Sequence, residues 1–286
     1  MTEVRDAATV MLVRDGDDGL EVFMLRRNLD SDFVGGAYVF PGGGVDAHDR
    51  HLDLEPICEG RTDAEASDLL DLPGGGGLAF WVAAIREAFE EAGVLLAYDR
   101  DGRVLDLTDP ATAARFEAHR AAVDTGDRRL VDVCAEEGLR LACDAIHYFS
   151  HWITPEGPPR RYDTRFFVAR APESHAYLHD DRETIASTWI RPADALEAHR
   201  RKEFDIIFPT IRNLEAIGRF DRADDLLAAS AAIESVPAIL PRIVQDADGT
   251  RILLPGDPGY DEAGIPLPGG MPMPGREGGP RPVGGP

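Results

Sequence analysis

The residues best placed to do chemistry form one run, Arg86-Glu87-Ala88-Phe89-Glu90-Glu91-Ala92-Gly93-Val94. Wound as a helix, Glu87, Glu90 and Glu91 fall within an arc of about 100°, and Trp81, Val82, Ile85 and Phe89 take the opposite face. Carboxylates stacked on one turn repel one another by a few tenths of a kcal/mol per pair. Mg²⁺ or Mn²⁺ removes that repulsion, because both are hard cations held by a few carboxylates together with substrate phosphates. Glu-x-x-Glu-Glu therefore reads either as a metal-assisted phosphoryl site or as a solvated acidic helix face.

The elements that must carry these side chains follow from periodicity and turn residues. Residues 79–92 read as a helix with Gly93 as its C-terminal cap. Strands are expected at 9–13 and 20–25, the second ending in Arg26-Arg27, with a turn at 15–19 between them. A short strand at 37–40 is cut off by Pro41-Gly42-Gly43-Gly44. Residues 46–77 hold no sustained period and read as a surface insertion. Helices are expected at 110–124 and 128–137, then strands at 146–154, 161–168 and 188–191. Helices at 192–199, 209–217 and 222–233 close the pattern. Residues 266–286 contain seven Pro and seven Gly and cannot build a core.

The second run of interest lies upstream, at Pro41-Gly42-Gly43-Gly44-Val45-Asp46-Ala47-His48-Asp49. Together with Arg86-Glu87-x-x-Glu90-Glu91-x-Gly93-Val94, it resembles a Nudix box, Gly-x5-Glu-x7-Arg-Glu-x-x-Glu-Glu-x-Gly followed by an aliphatic residue. The box here is split: Gly43 takes the glycine, Asp49 stands for the first Glu, and 36 residues separate Asp49 from Arg86 instead of seven. This resembles the long-insert subgroup of the Nudix superfamily that includes the mammalian peroxisomal coenzyme A diphosphatase. Trp152-Ile153-Thr154-Pro155 and Arg160–Phe167 look like later stretches of the same subgroup.

The resemblance implies a Nudix α/β/α sandwich built on a mixed sheet over residues 1–235, with insertions near 50–78 and 101–140 forming a lid over the cleft. A C-terminal extension would cover 236–286, its Pro/Gly-rich tail starting near 266. It also implies a Mg²⁺- or Mn²⁺-dependent hydrolase of a phosphoanhydride bond. Glu87 and Glu91 would be the main ligands, Glu90 a third ligand or the base, and the Gly43 backbone would complete the metal site. Arg86 would orient a carboxylate, and Gly42, Gly43, Asp49 and Gly93 would shape the box. Glu183 is the candidate for an additional carboxylate from a remote loop, as metal ligand or base. Arg26 and Arg27 end a strand beside the cleft, where one of them would face phosphate. Arg161 and Arg165 flank Asp163 at alternate positions on one strand face, either to grip phosphates bidentately or to form an ion-pair ladder. The resemblance leans to CoA or acyl-CoA as substrate, with ADP-ribose, NADH or a nucleotide sugar as alternatives. A Nudix-like sensor without turnover is the rival from another class.

Composition sets the outer bounds. The 286 residues carry 30 Lys+Arg against 52 Asp+Glu, a formal charge of −22, which opposes binding to nucleic acid or an anionic membrane. A polyphosphate substrate therefore needs local cations. Hydrophobic residues make up 43% of the chain, enough for a core, but the longest apolar run, Leu78–Ile85, is far below the roughly 20 residues of a membrane span. Cys58, Cys134 and Cys143 share no metal-type spacing and suit a reducing cytoplasm. A homodimer is the family's default.

Overall fold

The computed structural model describes residues 3–29, 35–177, 184–246, 249–261 and 281–282. A mixed sheet lies between two helical layers, the α/β/α sandwich expected. Its centre is the hairpin of β1 (Val4–Gly16) and β2 (Gly19–Arg27), closed by an Asp17-Asp18 turn between paired Gly16 and Gly19. β8 (Arg161–Arg170) runs parallel to β1 over ten residue pairs. Antiparallel to β8 is β7 (Ile146–Ile153), and β10 (Ala238–Ile239) adds a parallel edge to β7. On the other flank β2 pairs with β3 (Tyr38–Val39) and β9 (Thr184–Ile190).

One face of the sheet is covered by α2 (Leu78–Ala92), with α1 (Asp63–Leu69), α3 (Pro110–Asp124) and α4 (Leu130–Glu137) packed around it. Trp81, Val82, Ile85 and Phe89 of α2 are all at most 1% exposed and meet Val10, Leu12, Phe23 and Phe167 of the strands. Alternate strand residues, Met11, Val22, Met24 and Val168, face the opposite layer of α5 (Pro192–Arg200), α6 (Phe208–Ile217) and α7 (Ala223–Ala231). The short pair β5 (Ala97–Tyr98) and β6 (Arg140–Leu141) joins the helical insertion, and β11 (Arg242–Asp246), β12 (Gly249–Leu253) and β13 (Arg281–Pro282) make a separate small sheet. Apart from 281–282, the Pro/Gly-rich tail lies outside the described residues.

Two expectations are corrected. Gly42–Gly44 does not merely end a strand: it is β4, antiparallel to Ala7–Thr9 of β1. A Cβ on Gly42 would come within 2.4 Å of Thr9 Oγ1, so this close pairing needs glycine. Residues 46–77 are not simply a surface insertion, since Leu54, Ala66 and Leu70 are at most 5% exposed and belong to the α2-side core. Their apolar residues are spread over single 3₁₀ turns and the seven-residue α1, too short to display a period.

Candidate active site

The insertion fixes where α2 begins. Asp63, in the first turn of α1, accepts from Gly76 N at 2.9 Å and Leu78 N at 3.0 Å, satisfying amides at the start of α2 that have no partner within the helix. At the other end Gly93 adopts φ +68°, the left-handed cap that glycine permits. Between these stops, 15 residues hold Glu87, Glu90 and Glu91 in register.

Arg86 ties the carboxylates together. Its Nε and Nη2 each donate to an Asp49 carboxylate oxygen at 2.9 Å, and Nη2 also donates to Gly44 O at 2.7 Å. Nη1 reaches Glu87 and Glu90, both at 2.8 Å. Asp49 is 4% exposed and also accepts from Asp46 N at 2.8 Å, so the shorter acid fits because its own 3₁₀ turn brings it close. Burial works to lower the Arg86 pKa, but the Asp49 hydrogen bonds and the Glu87, Asp49 and Glu90 charges outweigh it and keep the guanidinium protonated.

The glycine strand presses on the same turn. Gly42 N donates to Glu91 Oε2 at 2.9 Å, and a Cβ on Gly43 would sit 2.5 Å from Glu87 Oε1. Glu91 is 5% exposed. Burial raises the Glu87 carboxyl above its usual range, Glu90 adding to the rise while Arg86 opposes it. Burial likewise pushes Glu90 up to about 7 against the pull of Arg86. Carboxylates that resist ionising because they are crowded and desolvated are the donor set a hard divalent cation stabilises, so these residues fit Mg²⁺ or Mn²⁺.

Two supporting residues were not picked out from the sequence. Arg120 of α3, 5% exposed, donates to Glu90 O at 2.9 Å and Glu91 O at 3.2 Å, gripping the last carbonyls of α2. Asp124, at the end of α3, adds negative potential at Glu90. The signal available for Arg120 was an arginine within the buried stripe Phe116, His119, Arg120, Val123.

The other candidates divide. Arg27 extends β2 on the side where Leu25 meets the α2 layer, and its buried Nε has no acceptor among the described residues. Arg26 donates Nε to Gly36 O at 3.4 Å and lies 5.9 Å from the Tyr38 ring. Arg165 is 4% exposed, pairs with Asp163 at 2.8 Å and stacks 4.4 Å over the Phe80 ring. Asp163 also bonds His151, and Arg161 donates to Thr154 O at 3.1 Å. Arg165 thus makes an ion pair with Asp163, whereas the contact of Arg161 is with a backbone carbonyl. Glu183 lies outside the described residues. Among the described residues His119, Glu136 and Glu137, rather than the α2 carboxylates, bring three ligand-type atoms within 4.8 Å of one another, but both His119 ring nitrogens are engaged, by Glu137 at 3.0 Å and Arg128 at 2.9 Å, as in an ion-pair network.

Comparison with known proteins decides the family. The model of the NUDT19 Nudix domain matches residues 56–217, more than half of the chain. The chain belongs to the NUDT19 Nudix domain family. It is similar to human acyl-coenzyme A diphosphatase NUDT19, 31% identical over 280 residues that cover 86% of this chain and 73% of that protein. The protein of the same name from Gallus gallus is 31% identical over 303 residues, covering 90% and 80%. Among solved structures, the NUDIX hydrolase from Alicyclobacillus acidocaldarius superposes with a TM-score of 0.66 at 25% identity, covering 83% of this chain and 99% of that one.

As a Nudix hydrolase, the chain catalyses hydrolysis of a diphosphate linkage. The split box of this NUDT19-like chain closes in space: the 36 residues between Asp49 and Arg86 loop out, fold onto α2 through Leu54, Ala66 and Leu70, and return the arginine to the aspartate. No helix among the described residues is long and apolar enough to cross a membrane.

Proposed function

We propose that this Nudix hydrolase cleaves the diphosphate of coenzyme A or an acyl-CoA, adding water to give 3′-phosphoadenosine monophosphate and 4′-phosphopantetheine, or its S-acyl form when the substrate is an acyl-CoA. The diphosphate chemistry is carried by the turn Glu87-Glu90-Glu91, roped by Arg86 to Asp49 and pressed against Gly42 and Gly43, and the CoA substrate by the likeness to acyl-coenzyme A diphosphatases. Glu87, Glu91 and Glu90, with the Gly43 backbone beside them, would hold Mg²⁺ or Mn²⁺. Bound there, the cation would supply Lewis-acid polarisation of the diphosphate and lower the pKa of a water.

The chain's own residues do the rest. Arg86 spaces Glu87 from Glu90 through one Nη1 and keeps both aimed outward from α2. Glu90 is the candidate to take a proton from the attacking water, its carboxylate held beside Glu87 by the shared Arg86 Nη1. Arg27 offers its unpartnered Nε to a phosphate oxygen, as the acidic surface requires of some local cation. Glu183 remains the remote carboxylate of this reading, and Arg26, Arg161 and Arg165 serve the walls of the cleft. The three free thiols suit the cytoplasm, where we place the protein as a homodimer.

The test is product release from CoA, acetyl-CoA, ADP-ribose, NADH and UDP-glucose with Mg²⁺ or Mn²⁺, with Glu91→Gln as the blank. Turnover confined to the CoA compounds and lost in the variant is expected. Preference for another compound would discard the CoA assignment, and a wild-type rate in Glu91→Gln would discard the site.

A further inference from the structure

A cavity of about 450 Å³ opens beside the C-terminal end of α2, between α3 and the segment 173–177. Its volume lies within the range of small-molecule sites. Phe89, Leu107, Ala113 and Phe116 give it an apolar wall, with His175 and Tyr177 opposite. Phe89 points into the sheet-side core, about 100° around α2 from Glu90, so the cavity adjoins the carboxylate turn only at the C-terminal end of the helix, where Arg120, which lines the cavity, also holds the Glu90 and Glu91 carbonyls.

His175 is the polar feature that a purely structural packing defect would not supply. It is 5% exposed and lines the cavity; the ring interacts with the Leu95 backbone and the Ser174 hydroxyl, and its Nε2 has no hydrogen bond of good geometry among the described residues. A buried ring nitrogen without a partner costs free energy, so a site that retains one is built to give it a partner from outside. Burial holds the ring neutral at pH 7, its pKa lowered to about 4, so no counter-ion is needed. Exposed Glu117 and Glu173 also line the cavity and disfavour an anion there, so the occupant is mostly apolar, uncharged where it meets His175, and carries one amide-like group.

We infer that this cavity receives the pantetheine and acyl end of an acyl-CoA, with the terminal amide of pantetheine on His175 Nε2 and the acyl chain along Phe89, Leu107 and Phe116. The inference rests on the CoA reading above and deepens it, because it assigns chain-length selectivity to this wall. The diphosphate lies over Glu87, Glu90 and Glu91 while the remote apolar end runs past the C-terminal end of α2 into the cavity, so binding energy from the acyl chain positions the scissile bond.

The test measures kcat/KM of the full chain with Mg²⁺ for CoA, acetyl-CoA and hexanoyl-CoA. Each methylene buried is worth about fourfold in affinity, so hexanoyl-CoA should exceed acetyl-CoA by at least tenfold even in a half-open cavity. Ala113→Phe, which fills the cavity, should bring that ratio close to one, and Ala113→Leu should give an intermediate value. Ala118→Phe, on the exposed face of α3 outside the cavity, should keep the wild-type ratio. His175→Ala should raise KM for CoA and both thioesters together. Equal kcat/KM for acetyl-CoA and hexanoyl-CoA in the wild type, or an unchanged ratio in a folded Ala113→Phe, overturns the inference. Cleavage of ADP-ribose or NADH with no CoA compound turned over would instead remove the CoA reading beneath it.

Discussion

Replacing Asp49 by alanine removes the anchor of Arg86 and should reveal how much of the site depends on it. Asp49 and Arg86 have side chains 2% and 10% exposed and share two hydrogen bonds of 2.9 Å. Truncating one partner of a buried pair costs about 3–5 kcal/mol, because the other charge is left uncompensated. Here Arg86 keeps Glu87, Glu90 and Gly44 O as acceptors, so the lower end, about 3 kcal/mol, applies. For a chain of this size that lowers the melting temperature by roughly 6–12 °C. Loss of such an outer partner should also cut turnover by about 10–100-fold, since Glu87 and Glu90 move with the freed guanidinium. Asp49→Asn should be nearly as damaging, because its amide NH₂ would face an arginine N–H. Asp49→Glu keeps the charge and should recover most activity, at about 1–3 kcal/mol for the extra methylene. Urea denaturation and substrate turnover measure the two effects. A stability loss below 1 kcal/mol together with wild-type turnover in Asp49→Ala would refute the anchor.

Gly43→Ala should lower turnover at least tenfold with little change in stability, because its Cβ would displace the Glu87 carboxylate, while Gly44→Ala, whose Cβ meets nothing within 4 Å, should behave as wild type. Kinetics of the pair separates a steric effect from a general intolerance of side chains in β4. His175 titrates at about 4 in the fold against 6.5 unfolded, so the stability its neutral form gives is complete above pH 6.5 and falls as the pH drops towards 4. By pH 5 the loss is about 2 kcal/mol. It should be absent in His175→Gln, and parallel pH profiles of melting temperature in the two proteins would contradict the burial of that ring.

The sequence made the centre of the site legible because a long amphipathic helix writes its carboxylate spacing and its cap directly into the residues. The helical period placed Glu87, Glu90 and Glu91 on one face with Gly93 as the cap, and the resemblance to a Nudix box was needed to choose a metal site over a solvated acidic face. The hairpin of β1 and β2 was legible from apolar runs around an Asp/Gly turn, although pairing with β8 extends β1 back to Val4, through charged residues no alternation would have included. What stayed hidden depends on contacts distant in the chain. A triple glycine reads as a turn, and only the partner strand makes it β4. Leu54 and Leu70 bury without a period because short turns, rather than a long element, carry them. Arg120 and His175 reach α2 and the cavity from other elements; Arg120 at least stands in the apolar stripe of its own helix, whereas no local pattern marks His175.

The central claim is that the α2 carboxylates form one divalent-cation site, and calorimetric titration of Mn²⁺ into the wild type and into Glu87→Gln, Glu90→Gln and Glu91→Gln tests it most directly. Each amide keeps the shape of the side chain and removes one charge. The account predicts that the wild type binds Mn²⁺ and that each variant, still folded, loses at least tenfold in affinity. Affinity unchanged in all of the variants would contradict it.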